Sequence, residues 1–401
     1  MSLWIQNERQ REWMEKIGLL ADEFQKTAAL DDEAGRFPAE KIQRLRDAGY
    51  TALTVPEVFG GAGISVYDMV LFQERLARGD AAVALGIGWH LSVMGELGEG
   101  NSWDEDVFSF ITEEVKKGAV LNRAATERQT GSPTRGGRPG TSAVKKDGKW
   151  VLNGRKTFTT LSLTLDYMLV TAWIEEKQTT GVFLIHKDQA GVSVEETWDM
   201  IAMKATGSHD LLLDHVMVSD ERLVELISGP RAAKVNGWLL HIPAAYLGIA
   251  QAARDYAVRF ASEYSPNSLK GPIKDVPAVG QRVGEMELEL LKARQFLFTA
   301  AQMYDDPKRR PFIKSELGAA KHIVTNAVLS VVDKAMRITG AKSLERNNPL
   351  QRYYRDARAG LHNPPMDDAV IGKLAAEALS NKKKEPEKGS FYVWLLCRSS
   401  F

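Results

Sequence analysis

YMLVTAWIEEKQTTGVFLIH, residues 167–186, decides the fold. It holds two short runs rich in β-branched and aromatic residues, YMLVTAWI and GVFLIH, parted by a polar break around Lys177, and this pattern predicts strands. Runs of the same kind stand on either side: WVLNG from Trp150, VSVEETW from Val192 and LLLDHVMVS from Leu211. The extended pattern holds from Gly118 to about Leu226, interrupted by RQTGSPTRGGRPGTS, residues 128–142, whose Gly, Pro and Ser content predicts a loop. On both flanks the period becomes helical. Trp13, Ile17, Leu20 and Phe24 share one face upstream; Val283, Met286, Leu290, Ala293 and Leu297 form one stripe downstream, and Val324, Val328, Val331, Ala335 and Ile338 another. Strands held between two runs of helices predict an α+β chain and argue against an alternating βαβ sheet. The expected parts are an N-terminal helical domain (1–117), a small central β-barrel or sandwich (118–226), a C-terminal four-helix bundle (227–381) and a tail (382–401). That tail, NKKKEPEK then FYVWLLCRSSF, reads either as a basic hinge with a docking strand or as a frayed terminus.

At 401 residues the chain is long enough for two or three domains. Lys plus Arg and Asp plus Glu both number 52, so no net field gathers polyanions, and nucleic acid is not an expected partner. The lone Cys397 forms no internal disulfide, no Cys/His cluster has metal-ligand spacing, and a reducing, cytoplasmic setting is expected. The charged N-terminus lacks a signal-peptide pattern, and no uninterrupted apolar run reaches the roughly 18 residues of a membrane span, so a soluble protein is expected. GxGxxG after a strand, GxxxxGK[ST], HExxH and GxSxG are all missing.

Four segments carry chemistry instead. VPEVFGGAGIS (55–65) forces a turn through Pro56 and its glycines, and Ser65 with Asp68 predicts the start of a helix. AATERQTGS (124–132), LNGRKTFTT (152–160) and RITGAKSLERNNPLQRYYRDARAG (337–360) follow in order. Together, and in register over about residues 5–380, they resemble the acyl-CoA dehydrogenase superfamily, whose corresponding motifs are VTEPGAGS, NGxKxWIT and QxxGGxG followed by RDA. The resemblance implies a flavin-dependent oxidoreductase with FAD as cofactor, a small-molecule substrate of the acyl-CoA kind, an electron-transfer flavoprotein or a flavin reductase as redox partner, and a homo-oligomer, dimer or tetramer.

The resemblance also implies roles. The isoalloxazine ring is planar and electron-poor, and it needs fixed hydrogen-bond partners at its edge. By position, Ala125 and Thr126 belong to the flavin loop and Thr160 to the ring edge. Phe158 would stack where the family has Trp, and Gly131 and Ser132 would admit the pyrophosphate. Read alone, Thr126 and Thr160 are equally strand threonines on a solvated face. The turn Arg337, Gly340, Ala341 matches the segment that reaches a neighbouring subunit's cofactor. Arg337 there is either a phosphate ligand or a charge suited to a helix C-terminus.

The family's catalytic glutamate has no match. Its usual place after RDA reads Leu361, His362, Asn363, Pro364, Pro365, Met366, and its alternative place, some ten residues before Gly248, offers Trp238 and His241. The arginine of RxxFG is likewise unmatched in SPNSLKGPIKD, residues 265–275. A branch of the superfamily that hydroxylates substrates with reduced flavin and oxygen also lacks the glutamate and carries a histidine after RD. His362 is therefore the catalytic candidate, able to deprotonate a phenol or hydrogen-bond oxygen at the flavin; otherwise it is a loop histidine before Pro364. Asp367 and Asp368 suit the start of a further helix, and His241 reads as a satisfied core histidine. Oxidation of an acyl-CoA leads as the family's majority activity, followed by a reduced-flavin monooxygenase and by a non-catalytic flavin-binding or helical interaction protein.

Overall fold

The computed structural model describes residues 3–100, 102–131, 137–227 and 235–380. Six helices come first: α1 (Glu8–Gln25), α2 (Ala28–Ala34), α3 (Ala39–Asp47), α4 (Val66–Gly79), α5 (Ala81–Gly100) and α6 (Glu105–Lys116). The face predicted from Ile17, Leu20 and Phe24 is buried, with Trp13 half-buried at its end. α4 starts where the sequence places it. The Ser65 hydroxyl accepts from the Asp68 amide at 3.1 Å and the Asp68 carboxylate accepts from the Ser65 amide at 3.1 Å, a reciprocal cap. Asp305 adds a second carboxylate to that end, accepting from the amides of Val66 and Tyr67 at 2.9 Å each. α5 runs 20 residues and is long and apolar enough on average to cross a membrane, although His90, Ser92 and Glu96 interrupt its apolar run. It is a core helix here, with 78% of its apolar window buried.

The middle of the chain makes one eight-stranded sheet: β1 (Leu121–Ala124), β2 (Ser142–Lys146), β3 (Lys149–Lys156), β4 (Tyr167–Ile174), β5 (Thr179–His186), β6 (Val192–Glu195), β7 (Asp210–Val218) and β8 (Leu223–Ile227). The order is β6-β7-β3-β2-β4-β5-β8, with β1 parallel to β4 off that path. The opening stretch of sequence is the β4/β5 hairpin, paired from Tyr167 with His186 through to Ile174 with Thr179. Gly154 is required where β3 passes the loop before β2. Its φ of +157° disfavours a side chain, and an added Cβ would stand 2.7 Å from the Thr141 Cα.

Helices return as α7 (His241–Glu263), α8 (Pro277–Asp305), α9 (Lys314–Thr339), α10 (Pro349–Ala359) and α11 (Asp367–Leu379). Both predicted stripes face the core of this bundle, Val283 alone among them being only half-buried. α7 packs on α4 and α5 as well as on α8 and α9, so one continuous core joins the N-terminal helices, a sheet face and the bundle. A smaller apolar cluster lies between α5, α6 and the strands β1, β4 and β5. The chain thus has the α+β arrangement predicted.

Candidate functional site

Where the sheet, α5, α7 and the α9–α11 end of the bundle meet, they enclose a cleft of about 1640 Å³. That exceeds the roughly 300–1000 Å³ usual for one drug-sized ligand, leaving room for two molecules side by side. Ala125 and Thr126, just past β1, and Phe158 and Thr160, just past β3, line it together with His362.

The geometry around these residues is locally fixed. The Thr157 amide donates to the Thr126 carbonyl at 2.8 Å, tying the two segments to each other. Beside them Glu127 is buried. Its carboxylate accepts from the Lys156 ammonium at 2.6 Å, the Thr141 hydroxyl at 2.7 Å and the amides of Gly140 at 2.6 Å and Thr141 at 3.0 Å. Burial pushes this carboxyl up, but the hydrogen bonds from Lys156 and Thr141 outweigh it, and the group is held down at about 2. The Thr160 hydroxyl pairs with that of Ser208 at 2.9 Å, and Ser208 with that of Thr206 at 2.9 Å, so three hydroxyls form a chain along one wall. The Asn122 amide donates to the Thr160 carbonyl at 3.2 Å. Phe158 has φ +55°, a conformation rarely adopted by an aromatic residue, and its ring is half exposed, meeting Trp198 edge-on at 5.6 Å.

Thr206, Ser208 and Trp198 were missed by sequence reasoning. The only signal is the small hydroxyl cluster ATGSH, residues 205–209, immediately before β7.

His362 is exposed and ends the short turn after α10. Its loop is pinned by Asn363, whose amide donates to the Tyr246 hydroxyl at 2.8 Å and to the Ala359 carbonyl at 3.2 Å. The remaining candidates among the described residues do not line the cleft. Gly131 is exposed at φ +74° in a narrow turn closed on Glu127, and Ser132 lies outside the described residues. Arg337 is exposed at the end of α9 and pairs with Asp333 at 2.6 Å; Gly340 and Ala341 are exposed just beyond it. Trp238 and His241 are both buried. His241 corrects an expectation: it is a core histidine, but neither ring nitrogen has a hydrogen-bond partner, and burial pushes it down to about 3, which keeps it neutral.

Models of the acyl-CoA dehydrogenase N-terminal, middle and C-terminal domains match residues 7–100, 122–216 and 240–363. A putative acyl-CoA dehydrogenase, YdbM of Bacillus subtilis (strain 168), is 79% identical over 381 residues, covering 95% of this chain and 100% of that protein. The chain belongs to the acyl-CoA dehydrogenase family. Two solved structures share the family fold with it. A nitrososynthase from Micromonospora carbonacea var. africana has a TM-score of 0.80 at 24% identity, over 94% of this chain and 98% of that one. Butyryl-CoA dehydrogenase from Megasphaera elsdenii has a TM-score of 0.81 at 21% identity, over 94% and 100%. The family is one of flavoproteins, and a flavin is its cofactor. The donor set fits that group. A half-exposed aromatic ring offers a platform for a planar heterocycle, and the flanking hydroxyls of Thr126, Thr160 and Ser208 both donate and accept, as a ring edge of mixed donors and acceptors requires.

Proposed function

We propose that this flavin-dependent oxidoreductase is a reduced-flavin monooxygenase, which inserts oxygen into a small organic substrate held in the cleft. The observation that carries the reading is the condition of the carboxylates. Removing the weakly acidic α-proton of a thioester calls for a carboxylate of raised pKa facing the substrate. Glu96 is paired with Arg123 at 3.3 Å, Glu99 accepts from Tyr304 at 2.6 Å, and Glu225 accepts from Trp103 at 3.0 Å. Asp368 is exposed in the first turn of α11, where it bonds the Ala369 amide. The carboxyls that burial does push up, Glu74, Asp305 and Asp356, do not line the cleft.

A flavin bound here supplies the two electrons that oxygen needs. Thr126, Thr160 and Ser208 would hold its ring edge, Phe158 would support its face, and Leu85, Trp89 and Met200 would keep water from the same space. His362 takes a proton from the substrate at a ring nitrogen or returns one to oxygen. Arg337, Gly340 and Ala341, exposed outside their own cleft, complete the cofactor site of a neighbouring copy in a dimer or tetramer. A flavin reductase is the matching redox partner.

The second reading is α,β-dehydrogenation of an acyl-CoA thioester with hydride passing to the flavin. The name borne by the YdbM relative favours it, and an electron-transfer flavoprotein would be the partner. Anaerobic titration with thioesters and an aerobic oxygen-uptake assay together separate the two. A monooxygenase binds reduced flavin and consumes oxygen when a reductase regenerates it; bleaching of bound oxidised flavin by any of a series of acyl-CoA thioesters refutes that reading in favour of dehydrogenation.

A further inference from the structure

The end of the cleft between α9 and α11 carries three lysines that the flavin site leaves unused: Lys314, Lys321 and Lys373. Lys314 and Lys321 are seven positions apart, two helical turns on one face of α9, and Lys373 comes from α11. Lys321 differs from the other two in burial. Its side chain is 2% exposed, and its Nζ has no hydrogen-bond partner. The nearest carboxylate oxygen, Asp367 Oδ1, stands 3.6 Å away, too far for a hydrogen bond. Asp367 is only partly engaged: Oδ2 accepts from the Asn326 amide at 2.9 Å, while Oδ1, 3.1 Å from His322 Nδ1, is itself buried without a hydrogen-bond partner. Burial pushes the Lys321 ammonium down against the pull of Asp367.

A buried ammonium with three donors unmet is costly unless something that enters the cleft completes it. Leu317, Met366 and Val370 line the same end and would surround a chain of apolar carbon. One buried ammonium in such a setting matches a compact monoanion better than a phosphate, whose several charged oxygens call for several buried donors.

We propose that the substrate carries an organic oxyacid head, a carboxylate or a sulfonate, and that Lys321 binds it while Lys314 and Lys373 attract it to the cleft. This rests on the cleft being the substrate site of the flavin reaction proposed above, but binding can be tested without turnover. Calorimetry on the flavin-loaded protein would compare hexanoate, hexane-1-sulfonate, neutral hexan-1-ol and coenzyme A.

The two acids are expected to bind roughly tenfold more tightly than the alcohol, the range of one hydrogen bond to a charged group. Lys321→Met should remove that advantage while leaving hexanol and flavin binding unchanged, and Lys321→Arg should keep most of it. Lys373→Gln, which removes a half-buried charge 3.7 Å from Glu377, should weaken the acids by roughly threefold at low salt and not at high salt, as screening of a partly exposed charge requires. Equal binding of acid and alcohol, or undiminished acid binding by Lys321→Met, overturns the assignment. So does tighter, Lys321-dependent binding of coenzyme A, which would make the anion a phosphate, or loss of flavin from Lys321→Met, which would put the acceptor on the cofactor. Should Lys321→Met not fold, a Lys373→Gln variant with unchanged low-salt affinity overturns it as well. Acid binding that survives in a protein without oxygen uptake sinks the monooxygenase reading alone.

Discussion

Glu127 and Lys156 form the buried ion pair on which the flavin-loop geometry depends, and its two halves should respond unequally to mutation. Lys156 is fully buried and its Nζ has two partners, Glu127 at 2.6 Å and the Thr171 hydroxyl at 3.1 Å. Glu127→Gln therefore leaves a buried ammonium with a neutral amide and one hydroxyl, and should cost about 4–5 kcal/mol, the upper end for a broken buried pair. Lys156→Met leaves a carboxylate that still accepts from Gly140, Thr141 and the Thr130 hydroxyl, so about 3 kcal/mol is expected. Because the penalty in each case is mostly the stranded partner, the double variant should be less damaged than the sum of the singles by at least about 1 kcal/mol. Urea denaturation followed by tryptophan fluorescence gives the order. The pH dependence gives an independent check. Glu127 is depressed from its ordinary 4.5 to about 2 in the folded chain, so its contribution is fully present above about 4.5 and is lost as pH falls toward about 2. Wild type should lose stability across that window, and Glu127→Gln should lose less. A Lys156→Met variant less stable than Glu127→Gln, or a strictly additive double variant, would refute the reasoning.

Thr160→Val removes the hydroxyl paired with Ser208 and should weaken flavin binding by about tenfold, read from quenching of flavin fluorescence, with little loss of fold stability. His362→Ala should lower turnover by roughly a hundredfold or more while the flavin dissociation constant stays put, as expected of a proton-transfer group away from the ring's hydrogen bonds; an equal loss in both would make it a cofactor ligand. Gly88→Ala drives a methyl group into Gln73 and His241, both fully buried, and should cost about 1–3 kcal/mol in thermal or urea unfolding.

What the sequence made legible is what depends on near neighbours along the chain. The stripes of α8 and α9 repeat every three or four residues, and the Ser65–Asp68 cap spans four positions, so each could be read in place. β1, β2 and β8 could not. LNRA and SAVKK are too short and polar to announce strands, and β1 exists because the long, almost wholly buried β4 offers it a parallel edge from Leu121 to Ala124. The site divides along the same line. Thr126, Phe158 and Thr160 belong to compact motifs whose spacing survives in one segment, whereas Ser208 joins Thr160 across 48 positions. Lys321 shows the limit most clearly: with Lys314 seven residues earlier it reads as a charged, solvated helix face, yet α11 folds over it and leaves its ammonium inside. The acquired burial, not the residue type, turns that lysine from a surface charge into a group that needs an anion. His241 makes the complementary case, since the same burial keeps its imidazole neutral and leaves both ring nitrogens without a hydrogen-bond partner, which its apolar helix face in the sequence does not announce.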